Sequence, residues 1–421
     1  MRKEDLPQRF SHSLPLDLPT ASIYIIPIQK KLYSSRKMTS GEKMQYRDFG
    51  KTGFKISALG FGAMRLPIPE NQDKNAKEDL GEAVDLLRYG FEKGINYVDT
   101  AYMYCGGRSE LAVGMALKDG WREKVKLSTK LPLGEVKSQD DFKRILEHQL
   151  KKLDTDYIDF YHFHALSSQS FHDLILPQHL IDVAEKFKSE GVIRHLSFSF
   201  HDPHPETIVE ILDTRAFSSV LCQFNLLDRS NLTGIRRAAE LGMGVVVMGP
   251  VGGGRLAFKG GVFENAIGGR ITTPELAIRF VLSTPGISCA LSGMGTREMV
   301  DGNAAMADLP DPLSKEELDA IDAVTEECSK LRNLYCTGCG YCTPACPKKV
   351  AIPKCLEALI YKEVYNLDTA AENRYNSIGK NPWDTGERAS ACISCGACEK
   401  KCPQNIPIRE RLKQCREIFG S

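Results

Sequence analysis

Two hydrophobic periods alternate along most of this chain. From Ile56 onward, short apolar runs bounded by polar turns recur, and between them lie longer stretches whose apolar residues return every three or four positions. The short runs predict strands at Ile56–Ala63, Ile95–Asp99, Val125–Thr129, Tyr157–Phe163, Ile193–Ser199, Ser219–Phe224, Gly244–Met248 and Ser288–Ser292. The longer stretches predict helices at Leu80–Lys93, Ser109–Lys118, Gln139–Leu153, Leu174–Ser189, Pro205–Asp213, Asn231–Leu241, Pro274–Leu282 and Thr296–Met306. Eight strands, each followed by a helix, give an α/β fold with the count of a TIM (β/α)8 barrel, whose active sites lie at the C-terminal ends of the strands. An open doubly wound sheet would share the alternation, but no GxGxxG follows the first strand.

Outside this alternation the pattern changes twice. Residues 1–43 carry neither period and are rich in proline, serine and basic residues, so they are expected to be a disordered extension or to lie upstream of the true start, with Met38 and Met44 as alternatives. Glu4, Asp5, the prolines and the short apolar run SIYIIPI argue against a secretion signal. Two strand-like runs then flank Gly50 to Gly53. Beyond the last barrel helix, SKEELDAIDAVTEECSKLR opens with a capping box, Ser314 and Glu317, and spaces Leu318, Ile321, Val324 and Leu331 along one helical face. The expected division is a barrel over residues 44–313, then a linker helix and second domain over 314–421.

That second domain is an internal repeat: CTGCGYCTPACPKKVAI from Cys336 and CISCGACEKKCPQNIPI from Cys392 share every cysteine and both CP pairs. CxxCxxCxxxCP is the bacterial ferredoxin spacing for two [4Fe–4S] clusters, in which three thiolates of each cluster come from one run and the fourth from the other. On that spacing Cys336, Cys339 and Cys342 hold one cluster with Cys402, while Cys392, Cys395 and Cys398 hold the second with Cys346. Zinc uses four ligands and has no need of a third evenly spaced cysteine and a following proline, twice over. The helical look of the spacer IPKCLEALIYKEVYNL resembles the mostly helical two-cluster ferredoxin-like domains that end electron-transfer subunits. The other six cysteines, Cys105, Cys222, Cys289, Cys328, Cys355 and Cys415, read as buried or incidental thiols. Thiols used for metal ligation point to a reducing, cytoplasmic setting.

Composition narrows the partners. A chain of 421 residues with 42% hydrophobic content can bury a barrel-sized core and a smaller one. Its net charge of +1 gives no reason to expect nucleic acid or an anionic membrane, and no apolar run approaches the ~20 residues of a membrane span. A small molecule is the expected target; oligomeric state is not legible.

The candidate chemistry sits in INYVDTAYMYCGGRSE, where Asp99 ends an apolar strand and Tyr104 follows in the loop. Lys130 and His164 end two further strands. A carboxylate, phenol, ammonium and imidazole at strand ends can donate a proton to a carbonyl oxygen. In this order and spacing the four resemble the tetrad of the aldo-keto reductase family, over about Met44 to Ala307, in the subgroup with a C-terminal two-[4Fe–4S] ferredoxin-type domain. The resemblance implies hydride transfer between NAD(P)(H) and a carbonyl or alcohol substrate, with Tyr104 as proton donor, Lys130 stabilising its anion, Asp99 orienting the lysine, and His164 bonding the carbonyl oxygen.

It also implies carboxamide contacts at Ser199 and Gln223, a pyrophosphate cradle at Gly252, Gly253 and neighbouring Gly254 and Arg255, and adenosine contacts at Gly293, Gly295, Thr296 and Asn303. Three departures stand out. Phe200 replaces the family's asparagine, Met248 replaces a stacking aromatic ring, and Gly293 and Met299 replace basic residues that grip the 2′-phosphate, leaving Arg297 as the substitute that favours NADP(H) over NAD(H). His162 and His201 could suggest a metal, but no carboxylate with ligand spacing accompanies them. Because hydride carries two electrons and a cluster takes one, two further readings stay open: a nicotinamide-binding redox-sensing or regulatory subunit, and an electron-transfer module of a larger complex fed by an external electron carrier.

Overall fold

Eight parallel strands close on themselves: β1 (Leu59–Gly62), β2 (Tyr97–Asp99), β3 (Lys126–Pro132), β4 (Ile158–Leu166), β5 (Ile193–Phe200), β6 (Ser219–Gln223), β7 (Gly244–Met248) and β8 (Cys289–Gly293). Each pairs with its successor, and β8 pairs with both β7 and β1, so the barrel has no free edge. The computed structural model describes residues 44–69, 73–202, 204–309, 311–332, 336, 340, 342–380, 384–402 and 406–420. The extension expected over residues 1–43 and the cluster ligand expected at Cys339 lie outside the described residues.

The strands are buried on both faces because helices cover the outside and side chains fill the inside. The covering helices are α1 (Gly81–Glu92), α2 (Ser109–Ala116), α3 (Gln139–Leu153), α4 (Leu180–Ser189), α5 (Ile208–Asp213), α6 (Leu232–Leu241), α7 (Thr273–Ser283) and α8 (Arg297–Ala307). Local chemistry sets several of their ends. Capping boxes start α3 (Ser138 with Asp141) and α7 (Thr272 with Glu275), while Asp154 in the left-handed conformation ends α3.

The strand expected over Ile56–Ala63 is split at Ala58. Lys55–Ser57 turns outward to pair antiparallel with Tyr46–Asp48, and only Leu59–Gly62 enters the barrel. This hairpin swings Phe49 into the N-terminal end of the barrel, where its ring stands 4.9 Å from Phe160 and 6.0 Å from Tyr97. With Ile56, Leu221, Val246 and Cys289 it forms an inner core separate from the one beneath the helices. Gly244 has to lack a side chain here, since a methyl group on it would lie 2.3 Å from the Phe49 ring. Phe49→Ala is expected to cost about 3–5 kcal/mol in urea unfolding, the usual range for emptying a packed aromatic site; a loss under about 1 kcal/mol would show that the plug is dispensable.

Two other departures bear on the site. The helix expected to begin at Leu174 starts at Leu180, because Pro177 breaks it and Phe171–Ile175 forms a separate wide turn. Strands β3 and β4 run on to Pro132 and Leu166, so Lys130 and His164 stand two residues inside their strand ends.

Helix α9 (Lys315–Arg332) begins as expected, with Ser314 N donating to Glu317 and Glu317 N donating to Ser314 Oγ. It buries Ile321, Val324 and Cys328 in the core shared with the barrel helices. Beyond it the chain is mostly helical: α10 (Ile352–Glu363), α11 (Asp368–Ser377) and α12 (Ile408–Phe419). Helix α10 faces two ways. Cys355, Leu356 and Leu359 pack among the clustered cysteines, whereas Ile360 and Tyr361 join the barrel core. Among the described residues, no helix is long and apolar enough to cross a membrane.

Candidate active site

The C-terminal mouth of the barrel gathers Asp99 from β2, Lys130 from β3, His164 from β4 and Tyr104 from the loop after β2. Lys130 Nζ donates to Asp99 Oδ1 at 2.5 Å and to the Thr100 carbonyl at 2.7 Å, with both side chains almost fully buried. Burial alone would push the Lys130 ammonium down. The Asp99 carboxylate and the Tyr104 hydroxyl outweigh it, and the lysine is held above its ordinary value, protonated. The same ammonium lies 4.6 Å from the centre of the Tyr104 ring, and the ring meets His164 edge-on at 6.0 Å. Cys105 (φ +51°) and Gly106 (φ +65°), both left-handed, turn the loop so that Tyr104 faces inward.

His164 is pushed down to about 3 by burial, and the Lys130 charge adds to this, so it is a neutral imidazole at ordinary pH. His162, two residues deeper on the same strand, is fully buried, and burial pushes it down to about 4. Burial, with the Lys130 charge adding to it, lowers His201 as well.

A layer of polar side chains behind the tetrad was not legible in the sequence. Ser128 donates to the second oxygen of Asp99 at 2.6 Å. Beneath Lys130, fully buried Glu110 accepts from Thr129 (2.8 Å), Gln149 (2.6 Å) and Lys152 (3.0 Å), and Gln149 also donates to the Lys130 carbonyl. This network pins β3 at the lysine. Glu110 closes the stretch that carries Asp99 and Tyr104, and that proximity was the one available signal.

The residues expected to bind a nicotinamide line the same mouth. Ser199 Oγ accepts from Ala165 N at 2.8 Å, bracing the bulge behind His164 while its own proton stays available. Gln223 is held through its amide nitrogen by Asp228 at 2.8 Å, so its carbonyl oxygen can accept. Nearby Asn231 donates to the main-chain carbonyl of Gln223 and leaves its own Oδ1 buried without a partner. Gly252, Gly253 and Gly254 all have positive φ and present bare backbone after β7. Thr296 caps α8, and Asn303 donates to Ser292 at the end of β8. The orphaned Asn231 amide oxygen, the bare glycine turn and the Ser199 hydroxyl fit a dinucleotide.

Two arginines expected there point elsewhere. Arg255 bonds the Gly252 carbonyl and then reaches Glu357 and Tyr361 on α10; Arg297 lies over the Tyr89 ring, 4.8 Å from its centre. Phe200 is buried in the outer core, and Met248 is only half-buried beside the inner one.

In the second domain, Cys346, Cys392, Cys395 and Cys398 line one small cavity, so the last cysteine of the first run meets the first three of the second. Two of these sulfurs already accept backbone N–H bonds of 3.4 Å, Cys346 from Val350 and Cys392 from Ser394. Four cysteines on one cavity, two of them already accepting amide N–H bonds, suit a thiolate-held cluster, although among the described residues no three ligand side chains are gathered closely enough to grip a metal ion as they stand. Cys336, Cys342 and Cys402 belong to the same small core. Of the remaining cysteines, Cys222, Cys289, Cys328, Cys355 and Cys415 are buried, and Cys105 is half-buried against the Ala63 and Met64 carbonyls.

The aldo/keto reductase family matches residues 58–268, and the 4Fe-4S dicluster domain matches residues 335–406. "Probable aldo-keto reductase 1" of Glycine max is 31% identical over 226 residues, 51% of this chain and 62% of that protein. The structure of the aldo-keto reductase AKR11C1 from Bacillus halodurans in its holo form is 29% identical, covers 66% of this chain and 96% of its own, and superposes with a TM-score of 0.57. An aldo/keto reductase from Klebsiella pneumoniae, solved with NADP and acetate, is 26% identical, covers 64% of this chain and 92% of its own, and gives a TM-score of 0.53.

Proposed function

The chain belongs to the aldo/keto reductase family and carries a 4Fe-4S dicluster domain behind the barrel, and from that premise we propose that it reduces an aldehyde or ketone, or oxidises the matching alcohol, with NADP(H). The observation that carries this is the buried Lys130–Asp99 pair lying against Tyr104. Bound at the barrel mouth, the nicotinamide supplies the hydride that reaches the carbonyl carbon. Tyr104 gives its proton to the carbonyl oxygen, and the Lys130 ammonium stabilises the phenolate left behind. Asp99 keeps that ammonium charged and aimed, and Ser128 fixes Asp99. Neutral His164 donates one N–H to the carbonyl oxygen and thereby sets which face is attacked. Ser199 and Gln223 hold the carboxamide, and the glycine turn after β7 receives the diphosphate.

One hydride and one proton complete the reduction, so the barrel's stoichiometry closes without iron. The cysteine domain, with two [4Fe–4S] clusters, would supply one-electron transfer to an external carrier. Support for NADP(H) comes from the bound NADP of the Klebsiella neighbour.

An anaerobic titration of reconstituted protein with NADPH and then NADH, followed by a screen for carbonyl-dependent NADPH oxidation, tests this proposal. Binding without turnover on any aldehyde or ketone would sink it. The rate profile carries a second check. Because His164 titrates near 3, well below its ordinary 6.5, its neutral form is present throughout pH 5–8. No acid-side break from this group is therefore expected in kcat/KM over that range. A fall in kcat/KM below pH 6.5 that vanishes in His164→Gln would show that the imidazole titrates at its ordinary value and is not held neutral by the site.

A further inference from the structure

We infer that Arg65 is the cation that grips the diphosphate of the dinucleotide. This rests on the nicotinamide reading of the barrel mouth, and it assigns to the turn after β1 a task that the sequence pattern placed on Arg255 in the loop after β7.

Arg65 ends the short turn Ala63–Arg65 that leaves β1. Since β1 pairs with β8, and β8 with β7, a long side chain from this turn can cross β8 and reach the loop after β7. It does so. A methyl group placed on Gly293 would lie 3.8 Å from Arg65 Cβ, which sets the base of the side chain against the end of β8. Methyl groups placed on Gly254 and Gly253 would lie 3.7 Å from Arg65 Nη1 and 4.0 Å from Nη2, so the guanidinium rests along the glycine turn.

Three other cations of this mouth are committed. Arg255 is spent on the Gly252 carbonyl, Tyr361 and Glu357, Arg297 is stacked on Tyr89, and Lys130 is bound by Asp99. Arg65, by contrast, is exposed and makes no hydrogen bond or ion pair among the described residues. Its fork faces bare backbone instead of a carboxylate. Across the same opening, Gly295 N–H at the start of α8 finds only the Met299 sulfur as acceptor, at 3.5 Å. A guanidinium fork without an acid, lying beside side-chain-free turns and a weakly satisfied amide, is matched by phosphate oxygens, which it can take two at a time. Placement beside Gly253 and Gly254 assigns it to the diphosphate, common to NADPH and NADH, and not to the 2′-phosphate.

The test is calorimetric titration of the full-length, cluster-loaded protein with NADPH and, separately, with NADH. Arg65→Ala is expected to raise both dissociation constants about tenfold or more, the usual effect of deleting a charge-assisted bond, and Arg65→Lys to recover part of the loss. An unchanged Tm is expected for both variants because the side chain is exposed. Equal affinities in wild type and Arg65→Ala would overturn the inference while leaving the nicotinamide reading intact. A loss confined to NADPH would also overturn it, by moving Arg65 to the 2′-phosphate. Wild-type protein that binds neither nucleotide would overturn both.

Discussion

Tyr104→Phe is expected to lower carbonyl-dependent NADPH oxidation by about 10²- to 10⁴-fold, the range over which a positioned general acid acts, while the dissociation constant of NADPH stays within about twofold. The expectation follows from what the other donors at the site cannot do. His164 is a neutral imidazole, pushed down to about 3, and has no readily released proton. Lys130 has its protons engaged by Asp99 and the Thr100 carbonyl, and the carboxylate holds it charged. Losing one hydroxyl leaves the ring, its edge contact with His164 and its contact with the ammonium in place. Stopped-flow and steady-state rates with one active aldehyde would measure the effect. A variant retaining more than a tenth of wild-type turnover would remove Tyr104 from the proton step. A wild type that binds NADPH yet turns over no carbonyl would favour the regulatory reading over the enzymatic one.

How much of this arrangement the amino-acid order discloses depends on the reach of each side chain. Elements defined by apolar period were legible: α3 and β7 have the bounds their patterns predict. Asp99 and Lys130 were legible as strand-end residues, because a barrel brings every strand end to one mouth. The break at Ala58 was not, since hairpin and barrel strand read as one continuous apolar run and only the outward turn of the chain separates them. Nor was the Glu110–Gln149–Lys152 layer. Polar residues on helices read as solvent-facing until the barrel closes over them. Arginines are hardest. Arg255 sits where the diphosphate is expected yet extends to α10, while Arg65, in an unremarked turn, extends back to the glycines. Position along the chain places the Cα of a long side chain but leaves its charge free over several ångströms.

The largest structural effect is expected from Cys346→Ser. Cys346 is remote in sequence from the second run but shares one cavity with Cys392, Cys395 and Cys398, and its sulfur accepts the Val350 N–H. A serine oxygen is a poor substitute for a thiolate on iron. Anaerobically reconstituted Cys346→Ser is expected to hold about four irons per chain where wild type holds about eight, one [4Fe–4S] cluster having been lost. Cys355→Ser, a buried thiol outside the ligand set, should keep the wild-type iron content. Unchanged iron and cluster spectrum in Cys346→Ser would refute the exchange of fourth ligands between the two runs. The variant should also be felt in the barrel. Helix α10 starts just past the Cys346–Val350 bond and carries Glu357 and Tyr361 to Arg255, whose guanidinium ties down the Gly252 carbonyl of the glycine turn. Metal binding in such small domains is folding energy, so losing a cluster loosens the support under α10. NADPH affinity in Cys346→Ser is therefore expected to fall several-fold although no barrel residue has changed. Wild-type affinity in a variant that has lost half its iron would mean that the glycine turn holds its shape without the cluster domain.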